Sequence, residues 1–307
     1  MNELHGNDTR PSDERGAIFE RYRPRLFGIA YRMLGSVEDS EDVVQDAYLR
    51  WHRAELDALR SAEAWLVTVV TRLAIDRRRR IATEREAYEG HWLPEPLATP
   101  AAPPPDHHTE LASDLSIAFL VLLERLAPEE RAAFLLREVF GTDYAEIART
   151  LDRSEAACRQ IVHRARERVR NEKRRVQTSP ETKQHLVERF VAALTAEDEH
   201  ALLVLFADDV VLVADGGGKV PSVREAVRGA ERVARLAVGY QRMGRELLTH
   251  RITWINGEPA VLTLAGDRTL FTTSFAMDGE HIAAVYRVLN PDKLQRVGPP
   301  PYGAWRL

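Results

Sequence analysis

Between Gly90 and His108 the chain reads GHWLPEPLATPAAPPPDHH, and this stretch constrains the fold more than any other. Proline fixes φ, lacks a backbone N–H and clashes with the preceding helical turn, so no helix interior runs through Pro103-Pro104-Pro105. Such segments act as semi-rigid spacers, and residues 81–110 are expected to be a linker between separately folded parts. On its N-terminal side no glycine or proline lies between Ser36 and Arg80. Strong helix formers dominate there and apolar residues recur at three- and four-residue spacing, so residues 15–80 read as a helical domain. Gly35-Ser36 separates two helices, with Ser36 as N-cap and Asp39 three positions on. Ser61 is expected to cap a further helix whose buried stripe is Trp65, Leu66, Val69, Val70 and Leu73.

Residues 111–176 read as helical again. Leu115–Leu126 is strongly apolar, Pro128 suits a first helical turn, and Gly141 ends that helix. Thr142 or Asp143 caps Tyr144–Leu151, Asp152-Arg153 make a tight turn, and Ser154 caps a long basic helix reaching about Val176. Thr178-Ser179-Pro180 mark a second boundary. Beyond it, residues 181–206 and 222–243 look helical. Val210–Val213, Thr249–Ile255, Ala260–Leu264, Thr269–Phe275 and Ile282–Leu289 look like strands, with hairpin turns at Asn256-Gly257 and Asp278-Gly279. The expected fold class is multidomain: two all-α domains, the second with a helix-turn-helix, then an α+β domain over 181–294 and a tail over 295–307.

Several function classes drop out on composition. The 307 residues include one cysteine, Cys158, so neither an intrachain disulfide nor a Cys-rich zinc site is available. No apolar run approaches the ~20 residues of a membrane span, and the polar start MNELHGNDTRPSDERG has no signal-peptide core. A cytoplasmic protein without membrane contact is the expectation. The net charge is −4, but its distribution matters more than its total. Residues 81–110 hold one basic and six acidic side chains, whereas Arg153–Arg175 holds nine basic and three acidic.

Three segments carry chemistry. Tyr144–Arg170 has the form of a helix-turn-helix with a basic continuation. Ala157, Ile161, Ala165 and Val169 should face its core. Ala156, Arg159, His163, Arg166 and Arg170 should line the exposed face, whose guanidinium forks suit guanine edges and phosphates. Glu155, Ala156, Arg159, Gln160 and His163, near the helix start, would reach bases. Later arginines, with Lys173, Arg174 and Arg175, would hold backbone. A solvated basic helix in an ordinary bundle is the alternative. Second, Ser36–Asp46 is an acidic helix with five acids and no base; phosphates would repel it, so any partner is a protein. Third, Ala64–Arg80 is an amphipathic helix ending in four arginines, which suit either a helix C-terminus or nucleic acid.

Taken in order, these segments resemble the sigma-70 family of RNA polymerase sigma factors, in particular the extracytoplasmic-function group. YRMLGSVEDSEDVVQDAYLRW resembles the core-polymerase-binding region, AWLVTVVTRLAIDRRRR the helix that melts and reads the −10 element, and Tyr144–Arg170 the helix-turn-helix that reads the −35 element. Tyr88–Pro96, Asp215–Val220 and Asn290–Leu294 resemble signatures of the members with a fused SnoaL-like, nuclear-transport-factor-2-like C-terminal cone. The resemblance implies that Asp42, Val43, Gln45 and Asp46 dock on polymerase, and that Trp65, Thr68, Arg72, Asp76, Arg77 and Arg80 open or contact the −10 region. It assigns Ser154, Glu155, Ala156, Arg159, Gln160, His163, Arg164 and Arg166 to the −35 duplex. Many relatives carry Asn near the position of Arg72. The acidic linker would lie along the basic RNA-exit path.

The implied partners are core RNA polymerase, promoter DNA and the chain's own C-terminal domain in cis. No cofactor or metal is expected and no catalytic residue. Asp208, Asp209, Asp215 and His250 are the catalytic candidates that a SnoaL-like cone offers, but Asp215 precedes Gly216-Gly217-Gly218-Lys219, which reads as a mobile contact loop rather than a general base. Trp92, Pro94, Asp215, Gly216, Gly217, Gly218, Lys219, Asn290, Pro291, Asp292 and Lys293 are the expected regulatory contacts. A small-molecule ligand of the cone stays open, as does a ligand-responsive helix-turn-helix regulator as the alternative function.

Overall fold

A computed structural model describes residues 11–55, 61–99, 115–172, 178–244 and 247–297. Lys173, Arg174, Arg175, His107, His108 and Pro103–Pro105 lie outside these residues, as does most of the tail. The chain forms two compact units, residues 1–82 with 126–167 and residues 83–125 with 168–307. Residues 111–176, read from sequence as one domain, thus divide between the two.

The first unit is helical. It contains α1 (Pro11–Leu34), α2 (Val37–Arg53), most of α3 (Ala62–Glu86), α5 (Pro128–Phe134), α6 (Tyr144–Leu151) and most of α7 (Glu155–Glu172). Ser36 caps α2 by accepting from the Asp39 N–H at 3.3 Å, and Ser61 caps α3 through the Ala64 N–H at 3.3 Å. A π-helical turn, Leu135–Val139, extends α5 before Gly141, at φ +65°, reverses the chain. Asp152, at φ +53°, makes the turn between α6 and α7, and Ser154 caps α7 by accepting from the Ala157 N–H.

Two expected stripes are displaced. On α3 the buried residues are Leu66, Val67, Val70, Thr71, Ala74, Ile75, Arg78 and Ile81; Trp65, Val69 and Leu73 are half-buried. On α7 the buried stripe is Cys158, Val162, Ala165 and Val169, not Ala157 and Ile161. The four-residue repeat runs ahead of the 3.6-residue turn, and the core follows the mixed three- and four-residue spacing instead.

The second unit is α+β. Helix α4 (Ile117–Leu123) belongs to it, followed after α7 by α8 (Pro180–Thr195), α9 (Glu199–Leu205) and α10 (Ala230–Met243). The strands are β1 (Phe206–Asp215), β2 (Val227–Arg228), β3 (Leu248–Ile255), β4 (Glu258–Ala265), β5 (Arg268–Asp278) and β6 (His281–Val288). They form one sheet in the order β2-β1-β6-β5-β4-β3. Among the described residues, β1 and β6 pair in parallel and the other neighbours antiparallel.

Two helical expectations need correction. Residues 181–206 divide at Glu197, which takes φ +55°, because Asp198 caps α9 through the Ala201 N–H. Residues 222–243 are helical only from Ala230; the stretch before it supplies β2 and Gly229 at φ +91°. One sheet face packs its Val261, Phe271, Phe275 and Val285 against Leu186, Phe190, Leu202 and Val238 of the helices. The opposite face carries Val288, with Leu93 and Leu294 over it and Val121 alongside. A bridge between Ala98 and Ile255 extends the β3 edge with linker backbone.

Candidate functional sites: two arginine-bearing helices and a buried carboxylate

In the first unit, Thr68, Arg72, Asp76 and Arg80 recur every four residues and form one stripe of α3. Its upper half is occupied. Arg72 Nε donates to the Thr150 carbonyl at 2.8 Å and its Nη2 to the Arg149 carbonyl at 2.8 Å. Thr68 Oγ1 lies 3.0 Å from Thr150 Oγ1. The last carbonyls of a helix lack intrahelical partners, and a cation there also meets the negative end of the helix dipole. Arg72 therefore caps α6, the first helix of the helix-turn-helix. A cleft beside this contact is lined by Arg25, Glu63, Val67, Thr68, Thr142 and Thr150. Asp76 and Arg80 are exposed. Trp65 and Arg77 turn instead to α2: Trp65 lies 5.6 Å from the Trp51 ring, and Arg77 Nε donates to Asp39 at 2.7 Å.

Along α7, Ala156, Gln160, His163 and Arg164 are exposed. Arg159 pairs with Glu155 at 2.8 Å and lies 5.0 Å above the Tyr144 ring. Arg166 is held by both Glu138 carboxylate oxygens, at 2.7 and 3.2 Å, which raises its pKa; this arginine is tied down rather than projecting. Burial raises the pKa of Cys158, in keeping with a thiol that fills the core. On α2, Asp42, Gln45 and Asp46 are exposed on one side, but Val43 is 4% exposed and belongs to the core. Exposed Leu49, at 47%, continues the acidic face one turn on. Its i+3 and i+7 spacing from Asp46 and Asp42 is the sequence signal that places it there.

The second unit contains the buried site. Asp215, at the end of β1, has zero exposure. It is a fixed anchor, not part of a mobile loop. Its Oδ1 accepts from Tyr88 Oη at 2.6 Å, and its Oδ2 accepts from the Leu93 N–H at 2.8 Å and Lys293 Nζ at 2.7 Å. Its carbonyl accepts from the Leu289 and Asn290 N–H groups. Asn290 Nδ2 donates to Tyr88 Oη at 2.9 Å, and its Oδ1 caps the turn Pro291–Leu294 through the Asp292 N–H. Lys293 Nζ also donates to the Leu93 carbonyl at 2.6 Å and sits 4.2 Å from the Trp92 ring centroid. Burial draws the Lys293 pKa down to about 8, against the pull of Asp215. Burial, then Asp215, raises Tyr88 well above the ordinary phenol range, so Tyr88 remains the donor.

The glycines supply clearance. Gly217 has φ +61°, and a Cβ there would sit 2.3 Å from Asn290 Nδ2 and 3.0 Å from Tyr88 Oη. A Cβ on Gly218 would stand 2.9 Å from Glu89. Gly216 is buried under Val220 and Ser222. At the rim Lys219 pairs with Asp292, and Arg224 pairs with Glu89 at 2.9 Å. Pro94 is buried and Trp92 half-buried, with Arg85 stacked 3.3 Å above the Trp92 ring centroid. A second junction lies on the β3–β4 hairpin. The Asn256 N–H donates to the Leu97 carbonyl at 2.7 Å, and Asn256 Oδ1 accepts from the Leu97 N–H at 3.0 Å. The sequence marked Asn256 only as a turn former.

Among the described residues no His, Cys, Asp and Glu side chains cluster as a metal site, and no helix is long and apolar enough to cross a membrane. Residues 18–84 match sigma-70 region 2 and residues 116–169 match sigma-70 region 4. The chain is 38% identical to the ECF RNA polymerase sigma factor SigJ of Mycobacterium tuberculosis, covering 90% of this chain and 91% of that one. The chain is an extracytoplasmic-function sigma factor. Another relative of this sigma factor is the probable ECF RNA polymerase sigma factor SigI of the same species, 30% identical over 92% of this chain and 95% of the other. The crystal structure of SigJ superposes with a TM-score of 0.73 at 34% identity, covering 92% of this chain and 98% of that one. The SnoaL-like α+β cone expected at the C-terminus is thus part of the sigma factor's fold. As a member of this family the sigma factor directs core RNA polymerase to promoters.

Proposed function

We propose that this sigma factor carries its regulator in the same chain. The cone grips the start of the linker that joins region 2 to region 4, and thereby sets how the two promoter-reading domains are presented. One observation carries the reading: every side chain or N–H group that satisfies the fully buried Asp215 carboxylate comes from the linker (Tyr88, Leu93) or from the tail turn (Lys293). Helix α3, which bears the expected −10 residues, ends at Glu86, two residues before Tyr88. Region 2 is thereby connected directly to the gripped segment.

In the free protein, Thr68 and Arg72 are engaged by α6. Reading of the −10 element requires that contact to open. The exposed acidic face Asp42, Gln45, Asp46 and Leu49 suits a basic, partly apolar polymerase surface. Exposed Gln160, His163 and Arg164 suit the −35 duplex, and Arg166 positions α7 through Glu138. The protein performs no catalysis of its own: Asp208 and Asp209 are exposed and Asp215 is spent on structure. It works in the cytoplasm, with the polymerase.

The test is transcription from the sigma factor's own upstream region, using core polymerase with the full-length chain or its Gly217→Asp variant. Added bulk at residue 217 displaces Asn290 and Tyr88, so the expected result is altered transcript yield or promoter preference, with faster amide exchange over residues 88–99. Faster exchange there with unchanged polymerase affinity and unchanged transcripts would overturn the regulatory role. A ligand-responsive repressor would instead bind duplex promoter DNA tightly without polymerase.

A further inference from the structure

The helix-covered face of the cone holds a cation that the linker grip does not use. Arg287 on β6 is 3% exposed. Its guanidinium lies 4.7 Å from the Phe271 ring centroid and 5.2 Å from that of Tyr240. Its Nε and Nη1 are buried and, among the described residues, reach no acceptor and meet no carboxylate, and burial draws its pKa down to about 10.

Nearby, the His250 ring is held in its neutral form. Its Nε2 lies 2.8 Å from Gln241 Oε1 and its Nδ1 lies 3.0 Å from Thr263 Oγ1. With Gln241 accepting, Nε2 carries the proton and Nδ1 takes the threonine hydroxyl's. Burial, then the charge of Arg287, lowers the His250 pKa. Tyr240 and His250 beside it are half-buried, each keeping part of its surface toward solvent.

A guanidinium presents planar N–H groups at its edge and a π-surface on its face. Phe271 and Tyr240 satisfy the charge through their rings, but ring faces accept little from the N–H edge. A buried charge without a hydrogen-bonded partner is strongly unfavourable, and the matching partner for that edge is a carboxylate. We propose that the cone binds a small organic carboxylate, with its charged end on Arg287 and an apolar body against Tyr240 and Phe271. The binding stands apart from the Asp215 grip, whose residues it does not share.

Benzoate is the probe, with benzamide as its uncharged analogue and sodium sulfate as an inorganic anion, each titrated into the full-length chain by calorimetry and thermal unfolding. Benzoate is expected to bind and to raise the melting temperature, while benzamide and sulfate do not. Arg287→Met should abolish the benzoate response and, by removing an unpaired buried charge, raise the ligand-free melting temperature by roughly 2–4 °C. In the unsubstituted protein benzoate should shift the His250 ring resonances and move its titration upward, a readout independent of whether the variant folds. Equal responses to benzoate and benzamide, a sulfate response that matches benzoate, or unmoved His250 resonances at saturating probe would each overturn the site. A folded Arg287→Met that retains the benzoate response would do the same.

Discussion

The contact between α3 and α6 and the contact between the cone and its linker are held by opposite means. In the first, Arg72 is an exposed side chain that donates to two backbone carbonyls. Water or a phosphate substitutes for those carbonyls at little cost, and the helix end is equally content with solvent. In the second, Asp215 is sealed from water, and its carboxylate is satisfied by Tyr88, Lys293 and the Leu93 N–H. Removing Lys293 leaves a buried charge without its counter-charge. One contact thus uses acceptors that solvent replaces readily, and the other uses partners that solvent does not reach.

The sharpest way to break this contrast is at the anchor. Asp215→Asn leaves Lys293 without its counter-charge, and Lys293→Met leaves Asp215 without its own. Each should destabilise the cone by about 3–5 kcal/mol, whereas the double variant should cost clearly less than the sum. Chemical denaturation of the four proteins in a double-mutant cycle measures this. Single variants with no loss beyond about 1 kcal/mol, the surface-pair range, would place the pair on a par with the α6 contact and erase the distinction.

A smaller effect follows from pH. The folded-state pKa of Lys293 lies near 8, below the ordinary value near 10.4 of an unfolded chain. The unfolded state therefore binds more protons between these values, and this group's contribution to stability rises with pH across that window. Below pH 8 Lys293 is charged and carries its full burial penalty, partly offset by Asp215. Side-chain NMR of 13C-labelled lysines should show one resonance titrating near pH 8. Asp215→Asn should move it lower, since the carboxylate is what holds it up.

The parts legible in the sequence are those with local causes. Ser36, Ser61 and Ser154 announce caps, Asn256-Gly257 and Asp278-Gly279 announce hairpins, and the exposed face of α7 follows from helical spacing. The Asp215, Gly217, Asn290 and Lys293 positions stand out through resemblance, yet the burial of Asp215 runs against its glycine-rich surroundings. Burial there depends on Tyr88 and Leu93, more than 120 residues away in sequence, which no local pattern encodes. Val43 was misplaced for a related reason. It lies between Asp42 and Gln45 in an acidic run, but helical geometry turns it inward beside Val44 and Ala47.

The faintest expected effect tests the Arg72 contact. Arg72→Gln removes a charged donor from two carbonyls that solvent is free to satisfy, so the loss in global stability should be only about 0.5–1 kcal/mol. Its structural consequence should be larger than its energy suggests, because Thr68–Thr150 is then the remaining polar tie between the α3 stripe and the end of α6. Spin labels at exposed Asp76 and Arg149 should report a broader distance distribution in Arg72→Gln than in the unsubstituted protein, while exchange protection over residues 88–99 stays as it was. Broadening in the first unit with an intact grip in the second is what a displaceable contact and a separate anchor require. A distribution as narrow as the unsubstituted protein's would mean that apolar packing, not Arg72, holds α6 against α3, and the opening step would then have to be driven through that packing.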